Sequence, residues 1–152
     1  KDTKRDLTKI KINNKILHQS KLVNYFKGKM SAENATKDLN DYLKKIKKNK
    51  KYFFSTKDII LVESLKSDGV NISEKYKNLY EISSSEMPFD IQDLINNNEM
   101  GLAMLRIVEV IGQDNIKDID DETIYFIVNT LNQLNIDSLR NEILLKVLPL
   151  KV

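Results

Sequence analysis

The residues able to do chemistry in this chain are few in kind. One histidine, His18, no cysteine and 22 Asp/Glu supply every side chain that could bind a metal or activate a nucleophile. A zinc site needs several His, Cys or carboxylate ligands converging on one point. No His-x-x-x-His or Glu-x-x-His spacing occurs, so His18 is expected to be a surface or packing residue. A Ser-His-Asp triad could draw only on His18, and no serine stands in a Gly-x-Ser-x-Gly elbow. Four scattered glycines form no phosphate-cradling loop. The stretch "DNIKDIDDE" (residues 114–122) is similar to a calcium loop but lacks its sharp-turn glycine, and Ile116 and Ile119 occupy ligand positions. It reads as a helix-capping loop. The many carboxylates allow a glycosidase-like pair, yet no spacing singles one out. No catalytic, cofactor-binding or metal residue is assigned on these grounds. A non-catalytic domain without cofactor is expected, and a hydrolase with an unidentified acidic pair ranks third among the readings.

One stretch could bind rather than react. In "KKIKKNKKYFF" (residues 44–54), Lys44, Lys45, Lys47, Lys48, Lys50 and Lys51 run into three aromatics. Single-strand nucleic-acid binders combine cationic surface with stacking rings. The charge of the whole chain leans the same way: residues 1–57 hold 17 Lys/Arg against 5 Asp/Glu, a net +12, and residues 58–152 hold 8 against 17, a net −9. Composition offers a plainer account. Lys outnumbers Arg 22 to 3 and Asn is abundant, as in an AT-rich genome, and two oppositely charged halves can pack on each other. The lysines then solvate the carboxyl end of a helix, where cations are favoured, and Tyr52, Phe53 and Phe54 staple the following loop to the core. That reading is preferred. Nucleic acid or another anionic polymer at the basic third is the alternative.

These residues must be positioned by helices. With 152 residues the chain can bury one core, and few Gly or Pro argue against a turn-rich β fold. Residues 1–14 read as a lead-in or linker and 15–152 as one domain. Ile16, Leu17, Leu22 and Phe26 recur at near-helical spacing up to Gly28. Ser31 starts a second helix with Ala35, Leu39, Tyr42, Leu43 and Ile46 inward. Ser55 or Thr56 starts a third, with Asp58 in its first turn, Ile59, Val62 (or Leu61) and Leu65 inward, and Gly69 as a left-handed stop. A fourth is expected over "EKYKNLYEI" with Tyr76, Leu79 and Tyr80 inward. Pro88 interrupts the pattern, Asp90 caps a short helix "IQDLINN", and Asn96–Asn98 turn the chain. Asp120 caps a helix with Ile124, Ile127, Val128, Leu131 and Leu134 inward. Asp137 caps the last, which Pro149 ends.

The segment "EMGLAMLRIVEVIG" (residues 99–112) is the most apolar. It is shorter than the roughly 20 residues that span a bilayer and carries one cation, Arg106. It is expected to be the central helix, stopped by Gly112, with Arg106 and Glu109 paired on one face and Leu105 indispensable to folding. Short loops between these elements predict an all-α fold of seven to eight short helices in antiparallel αα-hairpins, as an irregular solenoid or orthogonal bundle. The tetratricopeptide signature is missing, although the hairpin lengths keep a TPR-like, α-solenoid character.

The stretches "DIILVESLKSDGVNI", "MGLAMLRIVEVIG" and "DIDDETIYFIVNTLNQLNIDSLRNEILLKVLPLKV" (within about residues 58–152) carry a resemblance. They resemble the carboxy-terminal helical domain of a family of uncharacterised, exported bacterial proteins. The shared features are an apolar helix closing in Gly, an acidic cap such as Asp120, and a Leu-Arg helix leading to an apolar end. The resemblance implies an all-α hairpin array and a cell-envelope or periplasmic location rather than a cytoplasmic one. It supplies no catalytic residues. Because the chain opens on Lys1, it is read as a piece of a longer protein or a mature form. The function expected first is a helical scaffold or protein-interaction domain whose partner is another protein.

Overall fold

The computed structural model describes residues 14–79, 93, 96–113 and 118–148. Among these the chain is helical and contains no strand. The α-helices whose bounds fall among the described residues are α1 (Ala32–Lys48), α2 (Thr56–Ser67), α3 (Met100–Gln113), α4 (Asp121–Gln133) and α5 (Asp137–Val147). Among the described residues the 3-10 segments Leu17–Gln19 and Lys21–Lys27 precede α1, and Glu74–Tyr76 follows α2. Several expected features lie outside the described residues: residues 1–13 of the lead-in, Tyr80 and the end of the fourth helix, the break at Pro88, most of the helix around 91–97 with its Asp90 cap, residues 114–117 of the acidic loop, and Pro149.

Local chemistry explains the boundaries. Ser31 caps α1 by accepting from the Asn34 amide. Ser55 and Asp58 form a reciprocal capping box at the start of α2, satisfying two amides that the helix itself leaves unpaired. Asp120 accepts from the Thr123 amide at the start of α4, and this bond holds its carboxyl below the usual range. Gly28 and Gly69 close their helices in the left-handed region, at φ 74° and 93°, which glycine enters without steric cost. Asn135, at φ 58°, turns the chain between α4 and α5. The last helix starts one residue earlier than Asp137 as a cap would place it. Ile136 is its N-cap, and Asp137 sits in the first turn, where its charge still favours the helix.

Two expected helices take another form. The run from Ile16 to Phe26 is not one helix but two 3-10 segments broken at Ser20, whose backbone is extended. The Ser20 hydroxyl donates to the Leu17 carbonyl and accepts from the Leu22 amide, so a side chain replaces the backbone ladder there. In "EKYKNLYEI" the described residues form only the turn Glu74–Tyr76, with Tyr76 and Leu79 half-buried.

Among the described residues the most enclosed helix is α2, not α3. Ile60, Leu61, Val62 and Leu65 are all buried, together with Asp58 and Ser64. Three consecutive buried residues, Ile60 to Val62, span more than one face, so α2 is enclosed rather than laid on a surface. Its principal neighbour is α4; beyond it α5 packs on α4 and on Lys21–Lys27, which in turn packs on α1. The buried side chains of these elements form one continuous cluster that Ile107 of α3 joins. In α3, Ala103 and Ile107 are buried, but Leu102 and Leu105 are 51% and 59% exposed. The helix runs one residue past Gly112 and takes no part in the principal packing pairs among the described residues. The expectation of a central α3 fails because apolar content alone does not say how many faces are covered.

Candidate functional site

Two buried polar clusters and one exposed basic end are the places where chemistry or binding could reside. The first cluster is built on Asp58, held inside by the capping box. Its Oδ1 accepts from the His18 amide at 2.9 Å and lies 2.7 Å from His18 Nδ1. Its Oδ2 accepts from the Tyr52 hydroxyl at 2.8 Å and from the Ser55 amide at 3.1 Å. The same Tyr52 hydroxyl accepts from the Leu17 amide at 3.0 Å. Burial pushes the Asp58 carboxyl upward, but the bonds from His18, Ser55 and Tyr52 outweigh it and hold the group below its ordinary value. Burial also raises the Tyr52 phenol, with the Asp58 charge adding to it. His18 is thus a buried packing and tethering residue that ties the amino-terminal turn to α2.

Ser55, His18 and Asp58 are together, as in a nucleophilic triad, but the bonding is wrong for one. A triad needs the carboxylate on one ring nitrogen and the serine on the other. Here Ser55 Oγ lies 3.3 Å from Nδ1, the nitrogen that Asp58 already engages. An ionised carboxylate only accepts, so Nδ1 carries the hydrogen and cannot take the serine proton. Nε2 is buried and meets no hydrogen-bond partner among the described residues. The Ser55 hydroxyl is committed to the Asp58 amide as a cap. The arrangement is a tether.

The second cluster surrounds Arg140, which is 0% exposed. Its guanidinium grips Asp68 through two parallel bonds, Nη1 to Oδ1 at 2.8 Å and Nη2 to Oδ2 at 2.7 Å. Nη1 also donates to Asn132 Oδ1 at 3.0 Å, and Nε and Nη2 share Asn141 Oδ1 at 3.0 and 2.8 Å. Tyr25 donates to Asp68 Oδ2, and the Phe26 ring lies 5.6 Å from the guanidinium carbon. This fork-to-fork geometry joins α2, α4, α5 and Lys21–Lys27. Sequence reasoning assigned neither this residue nor Asp58 a buried role. The one signal was an arginine inside the apolar run of α5, in a chain that otherwise uses lysine.

The basic end lies at the carboxyl terminus of α1. Lys44, Lys45, Lys47, Lys48, Lys50 and Lys51 are all exposed. Lys45 and Lys47 lie over the rings of Tyr42 and Tyr76, at 5.8 and 5.9 Å from their centroids. Ion pairs between described residues engage His18, Lys21, Lys57, Lys66, Lys77, Arg106 and Arg140 among others, and the lysines of this group are not in them. Tyr52 and Phe54 are half-buried and meet edge to face at 5.5 Å. Phe53 departs from the expected staple: it is 85% exposed. Tyr52 and Phe54 on either side of it are half-buried, and Phe53 between them faces outward.

Among the described residues no three His, Asp or Glu converge as a metal site, and no helix is long and apolar enough to cross a membrane. Against family models, characterised proteins and solved structures, the chain finds no match.

Proposed function

We propose that this chain is a non-catalytic helical interaction domain, with its α-helices set out as hairpins of the α-solenoid kind and another protein as its partner. The observation that carries the reading is the outer face of α3. Leu102 and Leu105 stand three residues apart, so they share a face, and both are more than half exposed. The Arg106–Glu109 pair, at 3.4 Å, borders them. An apolar pair with a polar rim fits a partner's helix laid alongside. The cluster around Arg140 supports the same reading, because its guanidinium is engaged on all three nitrogens in ties between elements. A photo-crosslinker placed at position 105, in an extract of the source cells, is expected to give a discrete protein adduct. The same group at Glu142, exposed on α5, is expected to give none. Equal labelling at both positions, or none at either, overturns the reading. A cell-envelope location is part of the proposal and is tested by fractionating the source cells.

A second reading is favoured by the exposed Phe53 and the exposed lysines that precede it: contact with an anionic partner through the carboxyl end of α1. Reversal of charge at Lys44, Lys45, Lys47 and Lys48 is expected to abolish binding to any such partner. Binding that persists rules this surface out.

A further inference from the structure

The geometry of the α1 carboxyl end points to an anionic lipid surface as what it contacts. We propose that Phe53 inserts among the lipid headgroups while Lys44, Lys45, Lys48, Lys50 and Lys51 lie against them. The inference rests on the anionic-partner reading and goes further by choosing the partner's class.

A lone exposed phenylalanine needs no explanation; the surroundings of Phe53 are what give it meaning. From Tyr42 to Lys57 the sequence holds no Asp or Glu, so no carboxylate within this stretch offsets its charge. On α1, Lys44, Lys45 and Lys48 cluster opposite the buried Leu39 and Leu43, by the 3.6-residue period. Lys50 and Lys51 continue the charge to the foot of Phe53. The ring is not merely loose on a tip. Tyr52, immediately before it, is fixed by hydroxyl bonds to the Leu17 amide and Asp58. Ser55, two residues after it, is fixed by the capping box. Holding an apolar side chain out in advance removes the cost of ordering it on binding.

Three features favour lipid over a nucleic-acid strand. Strand binders stack successive bases on several rings along a groove, and here Tyr42, Tyr52, Phe54 and Tyr76 are half-buried while Phe53 alone of these rings stands well exposed. The cations are lysines, point charges suited to a diffuse anionic surface; none is an arginine that could fork onto a phosphate or a base edge. Finally, an exposed apolar residue that closely follows a run of exposed lysines in the chain combines the two weak signals that reversible attachment to a membrane requires.

The chain contains no tryptophan, so Phe53→Trp places a single indole at the proposed point of insertion. Flotation with phosphatidylcholine vesicles containing phosphatidylserine is expected to carry the protein at low salt. Vesicles of phosphatidylcholine alone are expected not to, and high salt to release it. On the anionic vesicles the Phe53→Trp emission is expected to move to shorter wavelength and to resist an aqueous quencher. Phe53→Ser is expected to weaken vesicle binding by about tenfold or more, the effect of losing a buried phenylalanine side chain. Each Lys→Gln change at 44, 45, 48 or 50 is expected to weaken it by about fivefold at low salt. An indole whose emission does not move, equal binding to neutral vesicles, or no vesicle binding overturns the proposal. Binding to a single-stranded oligonucleotide without binding to vesicles overturns the lipid assignment while leaving the anionic-partner reading standing.

Discussion

Arg140 and Asp58 show how single charged residues can hold this fold together. Each is buried, and each reaches elements far from it in sequence: Arg140 binds Asp68 and Asp58 binds His18. Removing one member of a buried pair leaves an uncompensated charge. Arg140→Met is therefore expected to lower unfolding free energy by about 3–5 kcal/mol, read from urea midpoints. Arg140→Lys is also expected to destabilise, because an ammonium cannot replace the two parallel bonds to Asp68 together with those to Asn132 and Asn141. Asp58 gives a pH prediction. Its folded carboxyl titrates below its ordinary value of 3.8, so its stabilising contribution is complete above that value and is lost as pH falls through the folded value. Denaturation midpoints are expected to start dropping as pH falls toward the ordinary value of 3.8 and to go on dropping below it. Asp58→Asn is expected to be less stable near neutrality and to show a shallower drop.

At the scale of elements, α2 and α3 exchange the roles their sequences suggest. Ile107 belongs to the core cluster, whereas Leu105 is more than half exposed. Leu105→Asp is therefore expected to change stability by no more than about 0.5 kcal/mol, as for other surface changes. Ile107→Asp is expected to unfold the domain, because it places an unpaired charge in the core. Thermal melts of the two variants compare them directly. At the start of α2, Ser55→Ala removes the acceptor for the Asp58 amide. It is expected to cost about 1 kcal/mol, within the usual range for a lost helix cap.

Over the whole molecule, stability and contact with a partner fall on different residues. The buried clusters bind α2, α4, α5 and the amino-terminal 3-10 segments to one another, while Phe53, the lysines of α1 and the Leu102–Leu105 face carry little of the core. Phe53→Ser and Leu102→Gln with Leu105→Gln are accordingly expected to melt close to the parent protein. The first is then expected to lose vesicle attachment, and the second the crosslinked partner.

Caps, stops and one-sided stripes were legible in the sequence because their causes are local. Ser31, Ser55, Asp120, Gly28 and Gly69 act on amides and carbonyls within a few residues, and the α1 and α4 stripes follow from helical period. The all-helical class follows from them. Which helix is enclosed could not be read, because an apolar segment has the same composition whether one face is covered or all of them. Nor could the partners of Arg140 and Asp58: Arg140 and Asp68 are separated by 72 residues, and His18 and Asp58 by 40. Only tertiary packing brings such groups within hydrogen-bond distance and out of water. The exposure of Phe53 was decided in the same way, by the fixing of Tyr52 through bonds to residues remote in the chain.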